Sequence, residues 1–215
     1  MLFEPKYPVP VFPLPQLALF PRTTVALHVF ELRYRAMVRD AVRADRVIAM
    51  ALLQPGWERD YHGSPAFFPL GCLGRIEHVE WQPNDCYDLR LAGLARVHID
   101  QVVREHPYRL ARVHAIDQEP LPDGDPLVEL ERRALFDAFT RVANAFGSPH
   151  ALGADIPLEA LVNHVCMSLT VEPTEKLALL GLDSLLERSQ RVRQKMDESL
   201  KASPGAGEGE GGQQN

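Results

Sequence analysis

Between Thr24 and Val42 the spacing of apolar residues changes once. Val25, Leu27 and Val29 alternate with Thr24, Ala26 and His28, the period of a half-buried strand. From Phe30 onward, Phe30, Tyr34, Met37, Val38, Ala41 and Val42 keep helical spacing, and Glu31 stands where a helix N-terminus favours an acid. Upstream, Val9, Val11 and Leu14 are interleaved with Pro10, Pro13 and Pro15. Proline gives no N–H to a ladder, so this segment is predicted to be an edge strand or an extended lead-in, not a central strand. Phe20-Pro21-Arg22 is a turn, since the residue before a proline is held extended. Val47 to Leu53 is an unbroken apolar run between Asp45-Arg46 and Gln54-Pro55-Gly56, which favours a buried strand over a helix.

An irregular stretch follows, from Gln54 to Pro69, carrying Trp57, Tyr61, Phe67 and Phe68. As a long loop it has two readings. Its aromatics fold back to cap the core, or they offer an adaptable apolar surface for peptides. Gly71 to Trp81 then reads as a strand, Gln82 to Asp85 as a turn, and Tyr87, Leu89 and Leu91 as a second strand. Gly93 is expected to break that strand, with a positive φ at a tight turn. Val97 and Ile99 resume the alternation, His106-Pro107 turns the chain, and Tyr108 to Asp117 returns. Sequential short strands with such turns predict an antiparallel, partly closed barrel.

Leu121 to Asp125 is a boundary, beyond which the period is helical. Asp125 suits an N-cap with Pro126 at the first helical position. Leu135, Phe136, Phe139, Val142 and Phe146 form one stripe, ended by Gly147, and Leu158, Leu161, Val162, Val165, Cys166 and Leu169 form a second. A short helix runs from near Pro173 to Gly181, and a last one, capped by Asp183, carries Leu185, Leu186, Val192 and Met196. The fold class expected is α+β: a β-rich unit over residues 8–120, a helical bundle over 125–201, and a Gly/Glu/Gln-rich disordered tail over 202–215.

Several segments together resemble a known family. Phe12-Pro13-Leu14, Leu19-Phe20-Pro21 and Phe30-Glu31-Leu32-Arg33-Tyr34-Arg35 are similar to the opening of the substrate-binding N-terminal domain of Lon-type ATP-dependent proteases. Leu70 to Ile76, the Leu89 to Val97 element with Gly93 and Arg96, Pro107-Tyr108-Arg109-Leu110-Ala111, and Val171 to Leu180 extend the likeness in the same order. One departure is Arg22, where the family often has glycine. The resemblance implies a PUA-like antiparallel pseudo-barrel followed by a helical bundle. It also implies a role in recognising unfolded or degron-bearing polypeptides, either alone or for a Lon-type ATP-dependent protease. For Glu31, Arg33 and Tyr34 a structural ion pair, fixing the helix on the barrel, is preferred over ligand contact.

Composition narrows this further. The chain is 46% hydrophobic and 24% charged, with a net charge of −6 and three cysteines, Cys72, Cys86 and Cys166, that form no CxxC pair. A reduced, cytoplasmic setting is the simpler expectation. The acidic balance weighs against the alternative of an RNA-binding PUA-like protein. No phosphate-binding G-x-x-x-x-G-K-[ST] loop and no G-x-S-x-G elbow occurs, so a stand-alone, non-catalytic form without ATPase or protease domains is expected, using no cofactor and no metal. Ser203 to Gly207, near Lys201, superficially suggests a serine loop but lacks a fixed base and oxyanion donors. His78, His98 and His114 all fall on predicted strands, with no carboxylate partner evident from their spacing. The candidate peptide-binding residues are Leu27, Phe30, Trp57, Tyr61, Phe67 and Phe68. Pairing of the last helix with a second copy is a further reading, less supported than packing in its own bundle.

Overall fold

The computed structural model describes residues 5–16, 18–121, 124–147 and 152–202. Its elements are β1 (Val9–Leu14), β2 (Thr24–Val29), α1 (Leu32–Arg43), β3 (Val47–Leu53), β4 (Phe67–Gln82), β5 (Cys86–Arg104) and β6 (Leu110–Ala115), followed by α2 (Pro126–Ala145), α3 (Leu158–Ser168), α4 (Pro173–Leu180) and α5 (Leu185–Ala202). Ala202, the first residue of the expected tail, ends α5, and the rest of the tail, with Ser203–Gly207, lies outside the described residues. The strands run β2-β5-β4-β3-β1-β6, and β6 pairs back onto β5, so five of them close into a ring. Closure depends on the length of β5. Its first half, Tyr87 to Ala92, holds β2, and its second half, from Val97 on, holds β6.

The α+β class, with a pseudo-barrel followed by helices, is therefore observed, with one pairing, β1 on β3, running parallel. That pairing corrects the reading of β1 as an edge. β1 lies between β3 and β6. Its prolines survive there because the two ladders are staggered. Val11 donates its N–H to the Arg109 carbonyl at 2.9 Å, so by alternation Pro13 faces β6 too, past the last β1–β6 pair, Pro10↔Leu110. Pro10 faces β3 one residue before that ladder begins at Val11↔Ala49.

β3 is buried along its whole length because both of its faces are covered. Val47, Ala49 and Ala51 pack with Val9, Val11, Leu73, Val97 and Ile99. Ile48 and Met50 pack beneath α1, against Tyr34, Met37 and Val38. The helices have their own apolar cluster, yet it includes Phe20 and Leu52 from the β-rich half, with Phe68 and Leu70 against it. Asp125 accepts from the Leu127 N–H at 2.8 Å, capping α2 as its position suggested. Asp183 does not cap α5. Ser184 takes the cap position, accepting from Glu187 N–H at 3.4 Å, and Asp183 turns to Arg96 instead.

The Phe20–Thr23 turn and the Gly93–Arg96 segment join the two halves. Arg22 donates its N–H to the Gly93 carbonyl (2.9 Å), and Gly93 donates to Thr23 (2.8 Å). Gly93 does not break β5 and has no positive φ, contrary to the sequence expectation. A Cβ there would lie 2.0 Å from the Phe20 carbonyl oxygen, so glycine is required by the close approach of the turn. The positive φ falls on Arg22, at 59°, where the resembling family often has glycine. Arg96, 2% exposed, sends its guanidinium into the helical half. It donates to the carbonyls of Leu180 (3.1 Å), Leu182 (2.9 Å) and Asp117 (2.6 Å) and to the Asp183 carboxylate (3.0 Å). Asn163 on α3 donates to the Pro21 carbonyl at 3.0 Å and accepts from buried Arg188 at 2.8 Å.

Candidate functional site

The first turn of α1 holds two connections against the barrel. Glu31 ends an extended segment (φ −68°, ψ 135°); its carbonyl accepts from the N–H groups of Tyr34 (3.0 Å) and Arg35 (2.8 Å), while its side chain makes no cap bond to the helix. Its carboxylate accepts from the Tyr61 hydroxyl at 2.6 Å and from Arg33 Nε at 3.1 Å. Arg33 donates onward to the carbonyls of Tyr61 (2.8 Å) and Gly63 (3.1 Å), with its guanidinium over the rings of Tyr34 (4.6 Å) and Tyr61 (5.4 Å). The Glu31–Arg33 pair expected from the sequence is present, and it clamps the 54–66 segment as well as the helix. Burial, then the bond to Glu31, pushes the Tyr61 phenol up to about 12.

That segment is more ordered than a long loop. Trp57–Asp60 form a 3₁₀ turn, and Asp60 accepts from the Ser64 N–H at 3.1 Å. The Trp57 and Tyr61 rings meet edge to face at 5.4 Å, both half-buried. On the other side of α1, Arg35 bonds Asp85, which also accepts from Trp81 Nε1 at 3.2 Å. Between these two braces Phe30 and Leu32 stand out, 62% and 76% exposed. Extended backbone at Glu31 turns them away from its carboxylate.

The structure separates the six candidate residues. Trp57 and Tyr61 lie together. Phe30 is not part of the buried helical stripe, because α1 starts two residues later; it is exposed and stacked near His28 with ring centres 6.2 Å apart. Leu27 points to the other face of β2 and packs against the core under α1. Phe67 opens β4 rather than lying on a loop, and the Arg109 guanidinium sits 5.1 Å above its ring. Phe68, next on the strand, faces the opposite way and packs on the helical core. Leu32 and Trp81, 76% and 64% exposed, are further apolar side chains in water that the six candidates did not include. A leucine at a helix start and a tryptophan ending a strand carry no signal of exposure in the sequence.

Beside the Tyr61 segment a cleft of about 200 Å³ opens, walled by Arg33, Tyr34, His62, Glu105, Tyr108 and Arg109. Arg109 donates Nε to Glu105 at 3.1 Å, while its Nη1 is buried with no hydrogen-bond partner among the described residues. The site therefore joins an exposed apolar ridge to a cleft with two guanidiniums and one carboxylate on its wall.

A β-barrel ring followed by helices, with exposed Phe30 and Leu32 beside charged clamps, is the arrangement to be placed among known proteins. Comparison with known proteins names the kind. Residues 8–198 match the ATP-dependent protease La (LON) substrate-binding domain, and the chain belongs to that family. It is 32% identical over 111 residues to Lon protease 2 of Myxococcus xanthus, covering 52% of this chain and 13% of that protein. It is 25% identical over 206 residues to the Lon protease of Flavobacterium johnsoniae, covering 89% and 24%. The chain thus spans a quarter or less of the length of these relatives. Among solved structures, the N-terminal domain of Mycobacterium avium complex Lon protease superimposes with TM-score 0.68 at 14% identity, covering 89% of this chain and 98% of that one. A Lon N-terminal domain protein from Xanthomonas campestris superimposes with TM-score 0.58 at 24% identity, covering 92% and 99%. Among the described residues no helix is long and apolar enough to cross a membrane.

Proposed function

We propose that this chain is a non-catalytic polypeptide-binding module. It recognises unfolded or degron-bearing segments on the face around the start of α1 and serves an ATP-dependent protease of the Lon type. The observation that carries this reading is the exposure of Phe30 and Leu32 between the braced Trp57–Tyr61 and Trp81 connections. Water-facing aromatic and aliphatic side chains on a rigid support lose little entropy on binding, which makes them effective anchors. The neighbouring cleft, with Arg33 and Arg109 on its wall, favours clients that carry an acidic group close to an apolar residue.

The test is binding of a fluorescently labelled, unfolded casein-like substrate, followed by anisotropy. The double variant Phe30→Ser/Leu32→Ser leaves the core intact, since both side chains are exposed. Losing two anchors of about 1 kcal/mol each weakens binding roughly 10- to 30-fold. Trp57→Ala/Tyr61→Ala weakens it comparably. Unchanged affinity in both double variants overturns the assignment of this face. The protease partnership is tested separately, by co-purification of a Lon-type ATPase-protease with the full chain from native lysate.

A further inference from the structure

A second cluster lies on another part of the barrel. His98 on β5 and His114 on β6 are directly opposed in the ladder, with ring centres 5.3 Å apart. Cross-strand partners project to the same face, so the fold sets the two imidazoles side by side. The third member is Asp100. The β5–β6 register slips between Ile99 and Gln101, which pair with Val113 and Arg112, leaving Asp100 as the extra residue of a bulge. A bulge re-aims the side chain it carries. Here the Asp100 carboxylate comes within 2.9 Å of His98 Nδ1 and 2.9 Å of His114 Nδ1. Sequence spacing suggested no carboxylate partner for these histidines; the bulge supplies one. His78, the third histidine of that reading, lies opposite Arg90 instead.

We propose that His98, Asp100 and His114 form a binding site for a divalent transition-metal ion of the zinc type. One ligand atom from each residue falls within 4.8 Å of the others. Tetrahedral zinc with bonds of about 2.0–2.1 Å needs ligand-to-ligand edges of about 3.3 Å. The two N···O edges, at 2.9 Å, need a few tenths of an ångström of opening, and the edge between the two imidazole nitrogens, within 4.8 Å, closes by rotation of exposed side chains. Two imidazoles and one carboxylate, with no thiol, suit zinc, cobalt or nickel rather than magnesium or calcium, which prefer all-oxygen shells. The side chains are 40–56% exposed, so the remaining coordination positions face solvent and a water or a client's side chain can complete the shell. Four arginines stand along the same two strands, Arg90, Arg96 and Arg104 on β5 and Arg112 on β6. Arg90 is paired with Glu77 and Arg96 with Asp183. The ion would join β5 to β6, the pairing that closes the barrel ring, and Arg96 two residues away holds the helices there. Metal would therefore fasten the barrel seam beside the junction of the two halves. This proposal is independent of the peptide-binding face.

The experiment titrates the full chain with zinc chloride, followed by calorimetry, thermal melting and the ring ¹H–¹⁵N signals of the histidines. The expected result is one ion per chain with shifts confined to His98 and His114. At zinc a hundredfold above Kd, the midpoint rises by about 5–10 °C. His98→Ala/His114→Ala abolishes both effects, and Asp100→Asn weakens binding at least tenfold while circular dichroism confirms an intact fold. Absence of binding in the wild type overturns the proposal. So does zinc binding that persists in the double variant, or shifts centred on His62 and His106.

Discussion

Replacing Arg96 with alanine tests how the two halves are held together. The side chain is 2% exposed and makes four hydrogen bonds, three to carbonyls and one to Asp183. Bonds to a charged group contribute about 1.5–3 kcal/mol each, but four on one guanidinium are not additive. Two features limit the loss. Leu182 keeps a second donor in Arg188, and Asp183 is 72% exposed and regains water. Leu180, the buried last residue of α4, loses the Arg96 bond without such a replacement among the described residues. With bonds to a charged group at about 1.5–3 kcal/mol each, discounted for non-additivity and for the acceptors that are compensated, a loss of about 4 kcal/mol is expected here. For a chain of this size that lowers the melting midpoint by about 8–16 °C. Arg96→Lys keeps the charge but not the fork, and recovers roughly half. The assay is urea denaturation followed by circular dichroism, with Arg90→Ala as reference. Arg90 is 59% exposed in its pair with Glu77, so its loss costs under about 1 kcal/mol. A cost for Arg96→Ala no larger than that of Arg90→Ala would refute the junction as described.

Gly93→Ala forces a methyl group to within 2.0 Å of the Phe20 carbonyl oxygen, and is expected to cost about 3 kcal/mol in the same denaturation assay. Gly56→Ala, at φ 88° but in open space, costs about 1 kcal/mol, which separates crowding from backbone strain. In alkaline difference spectra at 295 nm, Tyr61 is expected to ionise near 12, and Glu31→Gln to bring it down. Because the folded pKa is raised, its stabilising contribution is present below the unfolded value of about 10 and is lost as pH rises through about 12. A Tyr61 titration unchanged by Glu31→Gln would show that the Glu31 bond does not form.

Much of the fold follows from local periodicity. The switch from alternation in Thr24–Val29 to helical spacing marks β2 and α1, with an error of two residues at Phe30. The apolar run Val47–Leu53 is the strand buried on both faces. The cap at Asp125 and the stop at Gly147 sit where their residue types suggest, because caps are settled within one turn of chain. The motif Gly93-Leu94-Ala95-Arg96 was legible as important, but its cause lay outside the segment, in the Phe20–Pro21 turn and in α4.

What the sequence by itself determined is the succession of strands and helices and which stripe of each is apolar, since both depend on neighbours within a few residues. Only the tertiary structure decided what each stripe faces. It placed proline-bearing β1 between two strands by ending one ladder where the other begins. It left Phe30 and Leu32 in water while turning Phe68 onto the helices. It brought Asp100 over His98 and His114 through a one-residue slip in register. These outcomes depend on pairing between distant segments. In a strand a shift of one residue exchanges the two faces, and no local pattern specifies that shift.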